Sequence, residues 1–185
     1  LTPRGAASAT GPDQADALAA ALAAAQRACV GAGEGVCAPH RPATAAIGSW
    51  ATLWGAWLLR RQGAEAPAFL EAAVAWAPTS APALNNLAVL RMGQRADTVA
   101  LTLCDRAIAA QPDYHRAHRT AARAAVRSGD RHASVRHAKS WLNHAQRGDQ
   151  QRWLQGLIAE AEARGDTALA ADLASLSPSA AATHR

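Results

Sequence analysis

The sequence predicts an all-α protein, and its composition and periodicity carry that prediction. Alanine, the residue with the highest intrinsic helix propensity, occupies 52 of the 185 positions. Short alternating runs of Val, Ile, Thr and Tyr, which are typical of β-strands, are absent from it. Apolar residues instead recur at helical spacing, and between Trp50 and Tyr114 one such pattern is written twice at a fixed interval. We therefore expect a helical repeat protein with thin, alanine-rich contacts between its helices.

Residues 1–46 precede the repeated pattern. Residues 1–12 mix Pro, Gly, Ser, Thr and Ala, a composition typical of a flexible lead-in. A leading helix is predicted from Asp13 to about Val30, because Asp13 can cap its N-terminus and apolar residues follow at helical spacing. A loop rich in Cys and Gly is expected to complete the segment 13–46. No stretch of the sequence is apolar over the length that a transmembrane helix needs.

Cys29 and Cys37 lie across this loop, and their spacing leaves three alternatives open. We favour a disulfide bond, because a flexible loop lets the two side chains reach bonding distance. In an oxidising compartment such a bond would stabilise the fold by about 2–3 kcal/mol, and it would favour a periplasmic location in a bacterium. Two reduced thiols in the cytosol are the second alternative. A zinc site with His40 is the third, and it lacks a fourth ligand.

Glycines alternate between the two cysteines, but they do not predict a nucleotide-binding loop. That fingerprint requires a strand before the glycines and a helix that opens from them. Here a predicted helix precedes them and prolines follow them.

Residues 47–176 are predicted to form four pairs of helices, followed by a disordered tail at 177–185. The pairs span 47–80, 81–114, 115–148 and 149–176. Six pattern positions of the first pair recur 34 positions later in the second pair. In the first pair they are Leu53, Trp54, Ala66, Leu70, Ala73 and Pro78. Their counterparts, in the same order, are Leu87, Ala88, Ala100, Cys104, Ala107 and Pro112. Cys104 is therefore expected to be a free, buried thiol, because it occupies the core position of Leu70.

Local signals place the ends of these helices. Gly63 is expected to end the first helix of the first pair, and a second helix is predicted over Glu65–Trp76. Side chains able to cap helix N-termini occur before later helices, at Ser80, Asp97 and Asp113. Turns between paired helices are predicted at Gly129–Asp130 and Gly165–Asp166.

The repeated pattern resembles W-x2-L-G-x2-Y…A-x3-F…P, the signature of the tetratricopeptide (TPR) family. This resemblance implies a solenoid of antiparallel helix pairs that presents a groove to partner proteins. The first pair departs from the family pattern, because Trp54 stands where a small residue is usual. Large residues of this helix form a stripe that we expect in the core: Trp50, Leu53, Trp54 and Trp57.

The family resemblance also suggests a binding surface. In TPR proteins the first helix of each repeat lines the groove, where some members hold acidic peptide ends with Lys, Arg and Asn. Four arginines share one arc of the first helix of the third pair, opposite its alanines, and two asparagines occupy corresponding positions in the second pair. The predicted partner-binding residues are Asn85, Asn86, Arg116, Arg119, Arg123 and Arg127. A solvated helix face is the alternative interpretation.

Charge and chemistry favour the same class of function. Residues 115–152 contain eight Arg and one Lys against two Asp, which predicts an acidic partner. No catalytic constellation is visible, so we expect neither an enzyme nor a cofactor, and we expect no metal site at the histidine pairs His115/His118 and His137/His144. The function predicted is a non-enzymatic module that binds an acidic peptide or protein segment. The alternatives are a structural appendage of an envelope or membrane protein, and binding of nucleic acid or another polyanion.

Overall fold

The described residues form eight α-helices and no strand, which confirms the all-α prediction. The computed structural model describes residues 41–144 and 147–177. The predicted lead-in, the leading helix, the Cys29–Cys37 bond and the tail from residue 178 lie outside these ranges. The helices are α1 (Arg41–Arg60), α2 (Ala66–Trp76), α3 (Ala81–Gly93), α4 (Asp97–Ala110), α5 (His115–Ser128), α6 (Arg131–Leu142), α7 (Arg147–Ala163) and α8 (Thr167–Ser175). None of them is long and apolar enough to cross a membrane.

The chain divides into two compact units, an N-terminal unit (Leu1–Pro78) and a C-terminal unit (Thr79–Arg185). In the N-terminal unit α1 packs against α2. In the C-terminal unit the helices pack in three consecutive pairs, α3 with α4, α5 with α6 and α7 with α8, and α5 also contacts α3, α4 and α7. The predicted pairing of helices is therefore confirmed. A continuous array that joins the two units stays a prediction.

The predicted repeat period holds across the first two pairs of the C-terminal unit. Helix α3 begins at Ala81 and α5 begins at His115, 34 positions later. The second helices of the two pairs, α4 and α6, begin at Asp97 and Arg131, which are separated by the same interval. Equal spacing brings equivalent residues to equivalent places in neighbouring pairs.

Glycine–aspartate turns join the two helices within each of the last two pairs, as predicted. Gly129 and Gly165 have φ angles of +84° and +77°, in the left-handed region that glycine adopts without a steric penalty. The next residue caps the following helix. The carboxylate of Asp130 accepts a hydrogen bond from the backbone N–H of Ala133 at 2.9 Å, and Asp166 does the same for its own helix.

Of the three other predicted caps, one is confirmed and two are wrong. The Ser80 hydroxyl accepts a hydrogen bond from the backbone N–H of Ala83 at the start of α3. Asp97 and Asp113 do not cap, because Ala96 and Tyr114 hold the cap positions of α4 and α5 without a side-chain bond. Asp97 instead lies in the first turn of α4, where its carboxylate is used in an ion pair described below.

Helix α1 turns a different face to its partner than the sequence predicts. Leu53 is 74% exposed and Trp57 is 40% exposed, so the predicted apolar core stripe is wrong at these positions. The buried face includes Ala51, Gly55 and Leu58. Trp54 is half-buried against a cluster formed by Leu58, Ala66 and Phe69, and it stacks on Trp57 with ring centroids 5.1 Å apart.

Gly55 explains why α1 presents this face. A Cβ atom at this position would lie 2.7 Å from the Cδ2 atom of buried Leu70 in α2. The two helices approach so closely here that only glycine fits without a shift of its neighbour. The small residue that the family pattern has at the position of Trp54 is therefore found one residue later, at Gly55.

Three predicted boundaries differ from the structure. Helix α1 already includes Arg41, before the predicted start at residue 47, and its early Pro42 is tolerated because the first turn of a helix needs no N–H donor there. Gln62, rather than Gly63, takes the left-handed conformation after α1, with a φ of +57°. Helix α7 begins at Arg147, before the predicted start at Asp149.

Two glycine-to-alanine changes within helices test this packing. A Cβ atom added at Gly156 in α7 would meet no atom within 4 Å, so Gly156→Ala should stabilise the protein by up to about 1 kcal/mol through helix propensity. Gly55→Ala gains the same propensity but overpacks Leu70, which costs about 1–3 kcal/mol, so it should stabilise less or destabilise. Urea denaturation followed by circular dichroism measures both. A Gly55→Ala protein that gains as much as Gly156→Ala would contradict the close approach of α1 and α2.

Candidate functional site

A cavity of about 390 Å³ lies between α3, α5 and α7 in the C-terminal unit. We call it the arginine cavity, and its lining residues are Asn85, Val89, Met92, Arg116, Arg119, Thr120, Arg123 and Trp153. Three of them occupy one position of the repeat, since Asn85, Arg119 and Trp153 follow each other at equal intervals of 34 positions. The first helices of three successive pairs therefore line one cavity.

Asn85 has an unusual environment within this cavity. The residue is only 6% exposed, and its side-chain oxygen is buried with no hydrogen-bond partner in the described part of the chain. A buried acceptor that lacks a donor costs about 1–3 kcal/mol. A ligand that brings an N–H or O–H group to this oxygen would recover that cost.

Two arginines of the cavity are available to meet an anion. Arg116 and Arg119 are exposed, and no carboxylate of the described residues lies within 4.0 Å of either guanidinium. Arg116 interacts with the Tyr114 side chain, whose pKa burial raises above its usual value while Arg116 opposes that shift. The guanidinium of Arg119 lies 5.6 Å from the centre of the Trp141 ring, a cation–π contact that leaves its charge unneutralised.

The other two of the four predicted partner-binding arginines are neutralised by carboxylates of the protein itself. The Nε atom of Arg123 donates a hydrogen bond of 2.8 Å to the Glu160 carboxylate on α7, at the surface. The Nε atom of Arg127 lies 2.8 Å from Asp97 in a partly buried ion pair, and its Nη2 donates to the carbonyl oxygen of Met92. Carboxylates of the protein therefore neutralise these two of the four arginines.

The structure thus brings together four of the six predicted binding residues. Asn85, Arg116, Arg119 and Arg123 line the arginine cavity. Asn86 is half-buried and is not part of its lining. Arg127 lines a different cavity of about 360 Å³ at the ends of α3 and α7, where its two contacts tie α5 to α3 and α4.

Several lining residues were not predicted, and the repeat itself contained the signal for one of them. Adding the repeat period to Arg119 gives Trp153, a residue that the sequence pattern placed in the fourth pair without a role in binding. Val89, Met92 and Thr120 complete the lining. Val89 is 40% exposed, so the cavity combines arginines with accessible apolar surface.

A second cavity of about 310 Å³ adjoins the first, and we call it the tryptophan cavity. Its lining residues are Arg119, Trp141, Asp149, Arg152 and Trp153. The two tryptophan rings contact each other with centroids 4.3 Å apart and planes tilted by 50°. Because both cavities share Arg119 and Trp153, these two side chains form the wall between them.

Four histidines gather between the start of α5 and the helix α6, in pairs that the sequence did not predict. The Nδ1 atoms of His118 and His137 lie 3.1 Å apart, and the rings of His115 and His144 stack with centroids 4.0 Å apart. Within the described residues no group of three or more His, Cys, Asp or Glu side chains is arranged to hold a metal ion. The pairs are therefore imidazole contacts between α5 and the α6 region.

Burial sets the protonation of this cluster. Burial, together with the charges of Arg136 and His118, lowers the pKa of His137 to about 4, while Asp130 opposes the shift. Burial also lowers the pKa of His118, together with the charges of His115, His144 and Arg136. At neutral pH the contact of His137 Nε2 with Asp105, at 3.5 Å, is consequently not an ion pair.

Cys104 is buried and unbonded, as predicted. Burial and the neighbouring Asp105 raise the pKa of its thiol to about 12. The thiolate that acts as a nucleophile is therefore not populated at neutral pH.

Comparison with known proteins adds no relative to this description, since neither the protein-family models nor the curated proteins contain a match to this chain.

The pH dependence of stability tests the histidine cluster. The pKa of His137 is about 4 in the folded protein and about 6.5 in the unfolded chain, so the unfolded state binds more protons between these values. The free energy of unfolding should therefore fall as the pH is lowered through 6.5, by up to about 2 kcal/mol from this group between pH 7 and pH 5. Urea denaturation at the two pH values measures this loss.

The variant His137→Asn is the matched control, because an amide can still contact His118 but does not titrate. It should lose less than half as much stability as the unmodified protein over the same pH interval. An equal loss in both proteins would show that His137 is not the group responsible.

Proposed function

We propose that this chain is a TPR-like interaction module whose C-terminal unit binds an acidic segment of a partner protein in the arginine cavity. One observation carries this proposal. Arg116 and Arg119 share a cavity with the buried, unpartnered side-chain oxygen of Asn85, and no described carboxylate neutralises them. Cations and an unsatisfied acceptor in one concave site suit a peptide, which supplies carboxylates and backbone N–H groups together.

The energies are sufficient for a transient interaction. A charge-assisted hydrogen bond from Arg to a carboxylate contributes about 1.5–3 kcal/mol. Two such contacts, with a donor to Asn85 and apolar contact with Val89, support micromolar affinity after the cost of ordering the peptide. The surplus of positive charge over residues 115–152 would also attract an acidic partner at long range.

Two buried side chains of the C-terminal unit are unreactive at neutral pH. The Cys104 thiol is buried with a pKa of about 12, and His137 is buried with a pKa of about 4, so neither offers a reactive group to solvent at neutral pH. A periplasmic location is a proposal that depends on a bond between Cys29 and Cys37.

Nucleic acid is the competing ligand that one observation favours. Trp153 lines the arginine cavity, and an aromatic ring beside arginines can stack on a base while the arginines contact phosphates. Both apolar Val89 and buried Asn85 favour a peptide instead, because they lie among the arginines where a phosphate backbone would have to pass. The experiment below includes both ligands.

A single charge reversal tests the proposal. Arg119→Glu should weaken binding of a fluorescein-labelled octaglutamate peptide at least tenfold, because it removes an attractive charge and adds a repulsive one. Fluorescence anisotropy at about 0.15 M ionic strength measures the affinity, and circular dichroism checks that the helices remain. Lys139→Glu, an equal reversal at an exposed position of α6, is the control and should change the affinity less than threefold.

An equal loss of affinity in both variants would show that only the overall charge of the protein matters, and it would contradict a binding site at the arginine cavity. Tighter binding of single-stranded RNA than of the peptide, lost in Arg119→Glu, would favour the nucleic-acid alternative.

A further inference from the structure

We infer that the tryptophan cavity is a second subsite for the same partner, and that it takes an aromatic side chain next to the acidic residues. This inference rests on the proposed function of the arginine cavity. It extends that function by giving the partner segment a composition and a spacing. The observation behind it is that the two cavities share Arg119 and Trp153, so a chain bound in one extends directly into the other.

The lining of the tryptophan cavity selects a neutral, flat group. Half-buried Trp153 supplies the accessible ring surface of this cavity, and Trp141, which is 7% exposed, lies beneath it at a mutual tilt of 50°. A third ring can pack against this surface edge to face or offset-stacked. Arg119 already lies over Trp141 at 5.6 Å, so a guanidinium and aromatic rings line this cavity together. A ring that enters here would contact both kinds of group.

Charge assigns the two kinds of side chain to the two cavities. The arginine cavity has no acidic residue in its lining, whereas Asp149 lines the tryptophan cavity. Asp149 offsets one of the two arginines of the tryptophan cavity, so a ligand carboxylate is attracted more strongly to the arginine cavity, with its three arginines and no acidic lining residue. The acidic residue of the partner therefore belongs in the arginine cavity and the neutral aromatic residue in the tryptophan cavity.

The geometry of an extended chain gives the spacing. Side chains two positions apart point to the same side and lie about 7 Å from each other. This separation suits two cavities divided by a single pair of side chains. The segment we propose therefore has an acidic residue and an aromatic residue at positions i and i+2.

Peptides of equal charge test this proposal on the full chain. The probes are fluorescein-labelled, amidated peptides of Gly and Ser with two glutamates at alternate positions, followed two positions later by Phe, Leu or Ala. Fluorescence anisotropy should show that the Phe peptide binds at least tenfold more tightly than the Ala peptide, with the Leu peptide between them.

Trp153→Leu is the variant that tests the aromatic subsite. Leucine preserves apolar contact with the buried cluster of α5, α6, α7 and α8 against which Trp153 packs, and it removes the aromatic surface. Because Trp153 also lines the arginine cavity, the readout is the ratio of the two affinities in this variant, and the preference for Phe over Ala should fall below threefold. Trp57→Leu removes an exposed tryptophan of the N-terminal unit and should leave the preference unchanged.

A second measurement needs no change in the subsite. In ¹H–¹⁵N spectra, the indole N–H signal of Trp141, which lines the tryptophan cavity and not the arginine cavity, should shift with the Phe peptide and stay in place with the Ala peptide. Variants in which one tryptophan is replaced by Phe assign this signal.

The outcomes separate this inference from the function on which it rests. Equal affinity for the Phe and Ala peptides, with binding that still requires Arg119, would overturn the aromatic subsite and leave the proposed function intact. A Leu peptide as tight as the Phe peptide would also overturn it, because the cavity would then be merely apolar. Failure of every peptide to bind through Arg119 would remove both proposals.

Discussion

Alanine packing on α5 is the constraint on which the C-terminal unit depends. Five alanines of this helix are completely buried, at positions 117, 121, 122, 124 and 125. They bring α5 into contact with α3, α4, α6 and α7 at once, which is possible because small side chains let helix axes approach closely. A larger side chain at any of these positions would push on the backbone of a neighbour, at a cost of about 1–3 kcal/mol.

The four arginines of α5 share one narrow arc of the helix, and their partners divide them into two groups. Arg123 and Arg127 reach carboxylates on α7 and α4 and hold neighbouring pairs together. Arg116 and Arg119, nearer the start of the helix, find no such partner among the described residues. One helix therefore contributes both to the cohesion of the unit and to the surface we propose for binding.

The sequence predicted the helices and their pairing because those signals are local: alanine content, the repeat register and the Gly–Asp turns. The sequence did not predict which residues face a neighbouring helix, or which partner a side chain finds, where tertiary contacts determine these. Gly55 faces α2 because its backbone can touch Leu70, and nothing in the spacing of the tryptophans of α1 reveals that contact. The partner of Arg123 was equally hidden, since Glu160 lies on another helix far along the chain. Trp153 could have been predicted from the sequence, because adding the 34-residue period to Arg119 gives position 153.

We propose that the internally paired arginines connect neighbouring helices, while the unpaired arginines bind the partner. Arginine Nε–H signals in ¹H–¹⁵N spectra test it most directly, because each guanidinium reports its own hydrogen bonding. During titration with an acidic peptide, the signals of Arg116 and Arg119 should shift and become protected from exchange with water, whereas the signal of Arg127, which lines a different cavity, should stay where it is. Shifts confined to Arg123 and Arg127, or uniform small shifts at all four, would contradict the account.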